Sequence, residues 1–510
     1  MSQRRGDHTR YQRQIARGLF IGLLLAFLSG AALAHAKLER SEPKNNSTLE
    51  QAPKFVELWF SEELEAGLNT IEVKDQAGKR VDRGEVVLTE GNKKAQVELE
   101  ELSPGIYTVT WKALSADQHT MRGNFTFTVV APNALQTPAS SPMAGHPQEQ
   151  MSMSEVESSG DRISWGQSLV RWLTYLAMML LFGGFAFRSL VLAPALRRAL
   201  DADDRTQAVT AGTRRIVKVL WVAIVLLFAT SILALVMQAA DVFDKSFGES
   251  LSTDVLAQLL KTGYGASWIL QVGSFLVIAF ILILLSNRIK RNPEAESSAL
   301  WWAGLLAGAA LLVAPSWTGH AMLSVKHFRL AVITDWLHLL AGGCWVGGLF
   351  YLVLTWPKLI PTISTQLRTK VLHHLIRSFT RIAMPSVVLL VLAGLYNTWA
   401  HVPGLRAFWV TLYGQVLSVK LLLVLFMLLL GAINNYHFGK RAARIATQNS
   451  NLDNAAGRPL ERGFYRSVLF EASLGLVVLL VTAVLVFLTP ARNHPAMENS
   501  ATGSAVIQQR

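Results

Sequence analysis

Cysteine is almost missing from this chain: the single thiol, Cys344, lies in an apolar stretch and cannot close an internal disulfide. Any exported part must therefore be held by its core alone. No CxxC pair, Walker loop or GxGxxG turn between a strand and a helix occurs, so thiol-redox and nucleotide chemistry have no support. Charge is scarce as well, 16% of 510 residues against 51% hydrophobic. Acidic residues are the scarcer sign, 35 against 48 basic, for a net charge of +13. That excess could suit nucleic acid, but the Lys and Arg cluster between long apolar runs, where membrane topology explains them better.

The N-terminus has the form of a secretory signal over residues 1–34. Arg4, Arg5, Arg10, Arg13 and Arg17 precede the apolar run Leu19 to Leu33, and Ala32-Leu33-Ala34 is a small-x-small cleavage site. Cleavage after Ala34 makes His35 the first residue, with a free α-amine beside its imidazole: a chelating pair for a metal such as copper. The plainer reading is that His35 only follows a cleavage site. Residues 35–131 alternate with period 2, as in Phe55 to Phe60, Thr70 to Val73, Ala95 to Leu99, Tyr107 to Trp111 and Asn124 to Val129. Turn signals at Asp75 to Gly78 and Ser103 to Gly105 separate them. About seven short strands predict an all-β, immunoglobulin/cupredoxin-like sandwich.

Inside that domain, Asp117 and His119 are two apart on an extended segment and point to one side. With the amine and imidazole of His35 they offer three nitrogens and one oxygen, a set suited to tetragonal Cu(II). The alternative is a surface Asp-x-His pair beside a turn. No Met occurs between 35 and 120, which speaks against a Met-rich Cu(I) site; Met121 stands alone. Residues 132–163, rich in Pro, Ser, Gln and Glu, form a flexible linker. Its Met143, His146, Met151 and Met153 either hold copper loosely or are incidental.

From 164 to 489 the apolar runs predict eight membrane helices at about 165–192, 214–240, 263–287, 299–316, 329–355, 380–400, 415–437 and 465–488. Every alternate loop is basic: Arg197, Arg198, Arg214 and Arg215, then Arg288, Lys290 and Arg291, then Arg368, Lys370, Arg377 and Arg381, then Lys440, Arg441, Arg444, Arg458 and Arg462. This places those loops in the cytoplasm, and the β-domain and the tail 490–510 outside. A repeat is visible too. Trp172-Leu173 followed by Gly183-Gly184 matches Trp336-Leu337 followed by Gly347-Gly348, and Thr262-Gly263-Tyr264-Gly265 matches Thr411-Leu412-Tyr413-Gly414. Two four-helix halves of the same orientation follow, a layout found in transporters but also in proteins that transport nothing.

A second constellation lies in this part. His320, Met322 and His327 sit in the outer loop before the fifth helix, and Asp335 and His338, i and i+3, share one of its faces. Ionisable groups within a span usually face a protein interior or a polar pathway. Here they line a metal pathway, or they pair only with each other. Asn397, His401 and Lys420 add polar groups at the outer ends of the sixth and seventh helices, where Lys420 could snorkel. Glu471, near the inner end of the eighth, is an exit-side carboxylate or a partner for an inner-loop Arg. Cys344 is packing.

At these residues the chain resembles a known family. His35-Ala36-x-Leu38, Leu58-x-Phe60-Ser61-Glu62, and Trp111 with Ser115-x-Asp117-x-His119 then Gly123-x-Phe125-x-Phe127 resemble the CopC copper-resistance family. Gly319-His320-Ala321, Asp335-x-x-His338, Trp345-x-Gly347-Gly348, Gly394 to Asn397 and the Thr-x-Tyr-Gly motif followed by Lys420 resemble CopD. The resemblance implies a CopC–CopD fusion: a β-sandwich that captures Cu(II) at His35, Asp117 and His119, joined to a membrane domain thought to take copper across the bilayer. The expectation is therefore a multi-pass protein of the cytoplasmic membrane, not an enzyme, that handles copper and passes it by His320, Met322, Asp335, His338 and His401. Its expected partners are copper ions and the lipid bilayer, with no nucleic acid and a copper-accepting protein left open. Three alternatives differ. The first is buffering or delivery of copper for oxidase assembly. The second is a b-type haem oxidoreductase, which needs paired His on facing helices, although only His338 lies well inside one. The third is a lytic oxygenase, against which Asp117 and the lack of an extended aromatic face argue.

Overall fold

The computed structural model describes residues 38–61, 63–115, 120–131, 164–291, 298–318, 328–447, 453–488 and 491. The alternating segments form eight strands: β1 (Leu38–Glu42), β2 (Ser47–Leu49), β3 (Phe55–Phe60), β4 (Thr70–Lys74), β5 (Asp82–Thr89), β6 (Lys94–Leu99), β7 (Gly105–Leu114) and β8 (Thr120–Val129). They make two four-stranded sheets, β1-β3-β6-β5 and β2-β8-β7-β4. The inward set of one sheet includes Val56, Leu58, Ala95 and Val97, and it meets Ile71, Val73, Val109 and Phe127 of the other. This is the dry interior that period-2 alternation requires. β2, three residues paired in parallel with β8, is too short to show a period in the sequence. Gly123 of β8 faces Trp111 of β7, and a Cβ there would lie 2.6 Å from the indole. Only glycine permits that approach.

One buried charge ties the sandwich together. The Asp82 carboxylate accepts from the Val73 N–H (2.7 Å), the Gly84 N–H (2.9 Å) and the Arg80 guanidinium (2.7 Å). Burial pushes its pKa up, but the bonds from Arg80, Val73 and Gly84 outweigh that and hold it below the ordinary carboxylate value.

Among the described residues, eight helices are long and apolar enough to cross a membrane: spans 1 to 8 are Trp165–Ala199, Ala202–Phe243, Gly263–Arg291, Ser298–Trp317, Leu330–Thr362, Thr365–Trp399, Leu412–Ile445 and Gly457–Leu485. They outrun the apolar segments because the helical hydrogen-bond ladder continues into the basic ends.

The repeat has a structural basis in each motif. The Trp172 indole donates to the Leu476 carbonyl of span 8 (3.0 Å), and its counterpart Trp336 donates to the Ala309 carbonyl of span 4 (2.8 Å). Each half thus grips the last span of the other. Gly183 and Gly347 meet at the crossing of spans 1 and 5, and the next counterparts, Phe187 and Tyr351, stack with centroids 6.0 Å apart. Equivalent residues touching each other mark a pseudo-twofold axis along the bundle. The Thr-x-Tyr-Gly motifs are helix starts. The Thr262 and Thr411 hydroxyls accept from the N–H of Gly265 (3.4 Å) and Gly414 (3.0 Å). A Cβ on either glycine would strike the backbone of the preceding segment, at Leu260 or Ala407.

The β-domain is docked on the first half. Alternation fails at the end of β7, where Lys112, Ala113 and Leu114 are all buried. The reason is that the outer face of β7 meets the ends of spans 2 and 3. Lys112 donates to the carbonyls of Asp241 (3.2 Å) and Val242 (2.6 Å) and pairs with Asp244, which also pairs with Arg122. The Thr120 hydroxyl reaches the Asp241 carboxylate (3.2 Å), and the Glu65 carboxylate accepts from the Gly263 N–H at the start of span 3 (3.1 Å). Leu114 completes an apolar cluster with Leu235, Val242 and Leu259, against which Tyr264 and Trp268 pack.

Candidate functional site

Two cavities lie back to back across span 1, one in each half. The smaller, about 60 Å³, is lined by Met178 of span 1, Met237 and Gln238 of span 2, Tyr264 and Trp268 of span 3, and Gln271. The larger, about 550 Å³, takes Asp335, His338 and Trp345 from span 5, Tyr413 and Lys420 from span 7, and Met179 from span 1. Arg171, Tyr175 and Pro315 border both. The repeat relates the two spaces. Superposing Trp172 on Trp336 sets Arg171 on Asp335 and Thr174 on His338, and superposing Tyr264 on Tyr413 sets Gln271 on Lys420.

Their sizes differ because their walls do. Spans 2 and 3 pack together, whereas span 6 leans on span 5 and the Leu412–Ile433 part of span 7 on span 8, so that spans 6 and 7 meet at Thr380 and Asn435 but part along the cavity. Between them the large cavity reaches the bundle surface: Val391, Leu395 and Leu421 line it and are 43%, 55% and 45% exposed.

Asp335 and His338 do line one cavity, as their i, i+3 spacing predicts. They do not pair with each other. The Asp335 carboxyl is within hydrogen-bonding reach of the Ser316 hydroxyl and is attracted by Lys420. The His338 Nδ1 is buried with no hydrogen-bond partner among the described residues. Lys420 lines the cavity and is attracted by Asp335 there. His401 lines the same space, and its Nδ1 lies 2.7 Å from the Asn397 carbonyl, a bond of the kind that fixes the tautomer of a ligating imidazole. Glu471 has no arginine partner: it accepts from the Asn434 amide (2.8 Å) and the Trp345 indole. Cys344 is a free thiol, and the hydroxyl of Ser386 donates to the Ile382 carbonyl (2.8 Å).

His35, Asp117 and His119 lie outside the described residues, as do His320, Met322, His327 and the linker side chains. Among the described residues no cluster of three His, Cys, Asp or Glu side chains could hold a metal. The structure does place both ends of the segment carrying Asp117 and His119. Leu114 is packed on spans 2 and 3, and Thr120 is bonded to Asp241. Tyr264 and Trp268, which line the small cavity, belong to the same docking contact as Leu114. Arg171, Met178 and Met237 were missed in the sequence. The repeat could have found Arg171, which stands opposite Asp335, but not the two methionines.

A β-sandwich seated on an eight-span bundle of two repeats, with ionisable groups around an internal cavity, defines a two-part membrane protein. Family models match it in three blocks: the CopC domain over 38–130, the Copper resistance protein D-like, N-terminal domain over 161–326, and Copper resistance protein D over 373–485. The chain belongs to the CopC–CopD copper-resistance family. It is 28% identical over 479 residues to the Copper transport protein CutJ of Bacillus subtilis (strain 168), covering 93% of this chain and 78% of that protein. It is 30% identical to Protein YobA of Escherichia coli (strain K12), covering 21% of this chain and 88% of that one. The crystal structure of CopC from Methylosinus trichosporium OB3b is 28% identical, with 19% of this chain and 95% of that chain covered and a TM-score of 0.18.

Proposed function

We propose that this protein captures Cu(II) on the extracytoplasmic side of the cytoplasmic membrane and passes copper into the membrane domain. Residues 35–131 are the capture domain, freed at His35 by removal of 1–34, with 132–163 as linker and 164–489 as carrier. The amine and imidazole of His35, the Asp117 carboxylate and the His119 imidazole hold one Cu(II), because three nitrogens and an oxygen suit its tetragonal preference. The observation that supports the reading is that Leu114 and Thr120, which flank Asp117 and His119 in the chain, are held on the first half, Leu114 in a cluster with Tyr264 and Trp268 of the small cavity. Released copper meets the Met178 and Met237 thioethers there, soft donors suited to Cu(I). Met179, the next residue on span 1, faces the large cavity with Asp335, His338 and His401. His320 and Met322 belong to the outer mouth of this route. Glu471 and Asn434 lead toward the basic cytoplasmic loops.

The test has two parts. Cu(II) EPR on a domain beginning at His35 is compared with one carrying an extra Ala in front; equal spectra and equal affinity rule out the terminal amine. Copper accumulation is then measured in cells with and without the gene. A fall without the gene supports import, and unchanged accumulation leaves buffering or delivery as the function.

A further inference from the structure

The large cavity is far bigger than an ion needs. Copper with four ligands fills no free volume, whereas about 550 Å³ falls in the range of about 300–1,000 Å³ typical of organic ligands. Its repeat counterpart encloses about 60 Å³, so the space is not a by-product of the fold. The extra room comes from the parting of span 6 from the Leu412–Ile433 part of span 7, and it opens sideways through Val391, Leu395 and Leu421, onto the surface that lipid covers. What enters there is soluble in the bilayer. At the inner end it meets Asp335, His338 and Lys420, and the His338 Nδ1 is buried and unpartnered. An acyl chain has no use for these groups, which are costly inside a membrane. The first half has Arg171, Thr174 and Gln271 at the matching positions, so the repeat does not impose the acid–imidazole–lysine set.

We infer that this cavity binds a lipid-soluble quinol, its ring hydroxyls at Asp335, His338 and Lys420 and its apolar tail between spans 6 and 7. The pocket offers what a quinol needs: a cation and an imidazole for hydrogen bonds to the two oxygens, a carboxylate and an imidazole to take two protons, and apolar walls for the tail. Together with the copper reading, on which this step rests, it supplies electrons. One quinol and two Cu(II) give one quinone, two Cu(I) and two protons. Each O–H bond breaks, its proton passes to Asp335 or His338, and each copper gains one electron. Met179 and Met427, both on the cavity wall, suit the Cu(I) so formed.

The full chain in nanodiscs would be labelled with a photoreactive short-chain azidoquinone, and the modified peptides mapped. Labelling should fall on spans 5, 6 and 7 and drop at least tenfold in Lys420→Met. It should drop equally in Leu421→Trp, a lipid-facing change that blocks the portal without touching the charged groups. Gln271→Met, at the position matching Lys420, should label as the parent does. Anaerobic mixing of decylubiquinol with the Cu(II)-loaded chain should then release two Cu(I) per quinone, read with bicinchoninate. Absence of labelling in a chain whose ectodomain still gives its Cu(II) EPR signal overturns the quinol site while sparing the copper reading. A Soret band in the purified chain that is lost in His338→Ala also overturns it, making the occupant a haem. Labelling without copper reduction keeps the site and overturns the electron transfer.

Discussion

Gly183 of span 1 and Gly347 of span 5 hold the same place in the two halves and lie against one another: a Cβ on Gly183 would come within 2.7 Å of the Gly347 Cα. The halves approach closely enough at this crossing for any side chain to wedge them apart. Gly347→Val should therefore destabilise the detergent-solubilised chain by about 1–3 kcal/mol, as overpacking typically does, and lower its melting temperature. Gly394→Val, where a Cβ meets nothing within 4 Å, is the control and should melt as the parent does.

The docking contact should be separable from copper capture. Asp244→Ala leaves Lys112, a residue only 9% exposed, without its carboxylate, although the Asp241 and Val242 carbonyls remain. Because Asp244 is 58% exposed, the loss should be about 0–1 kcal/mol, as for an exposed pair, enough to loosen the contact without unfolding either part. Cysteines placed at Thr120 and Asp241 should crosslink in the parent and much less in this variant, while Cu(II) binding by the β-domain is unchanged. Equal crosslinking would show that the apolar contact around Leu114 holds the domains unaided.

Acid should weaken the sandwich through Asp82. Its folded pKa lies below the ordinary value, so its contribution is complete above the unfolded value of about 3.9 and is lost as pH falls through the lower folded value. Asp82→Asn should cost about 1–3 kcal/mol at neutral pH, since Val73 and Gly84 N–H groups lose a charged acceptor. The gap between the two proteins should close below that range, as followed by tryptophan fluorescence in urea at several pH values. A gap independent of pH would assign the loss to packing.

Removing a proposed copper ligand should cost more than the about 10–100-fold that loss of an outer-shell partner costs a metal site. His119→Ala should lower Cu(II) affinity beyond that range and remove one nitrogen from the hyperfine pattern. His146→Ala, in the linker, should leave both unchanged.

Strands and spans could be read directly, because a period of 2 or a long apolar run is imposed by one buried face or by lipid, each local to the segment. What could not be read depends on two segments meeting. Lys112 sits in a strand that alternates cleanly until it touches spans 2 and 3, and nothing in β7 announces that contact. Lys420 looks like an interfacial lysine until the bundle brings Asp335 opposite it. The i, i+3 relation put Asp335 and His338 on one face, yet the groups that act on Asp335, Ser316 and Lys420, come from other spans. The large cavity was least legible of all, since it depends on the separation of two helices whose sequences are merely apolar.

The clasp around Asp244 also redefines what the 132–163 segment contributes. A tether matters to a mobile domain because it fixes how far that domain can travel. Here the β-domain already rests at its destination, so the tether sets only effective concentration. The sandwich and the bundle, made as two unconnected chains, should find the same seat from solution, with copper hand-over that depends on protein concentration but not on tether length.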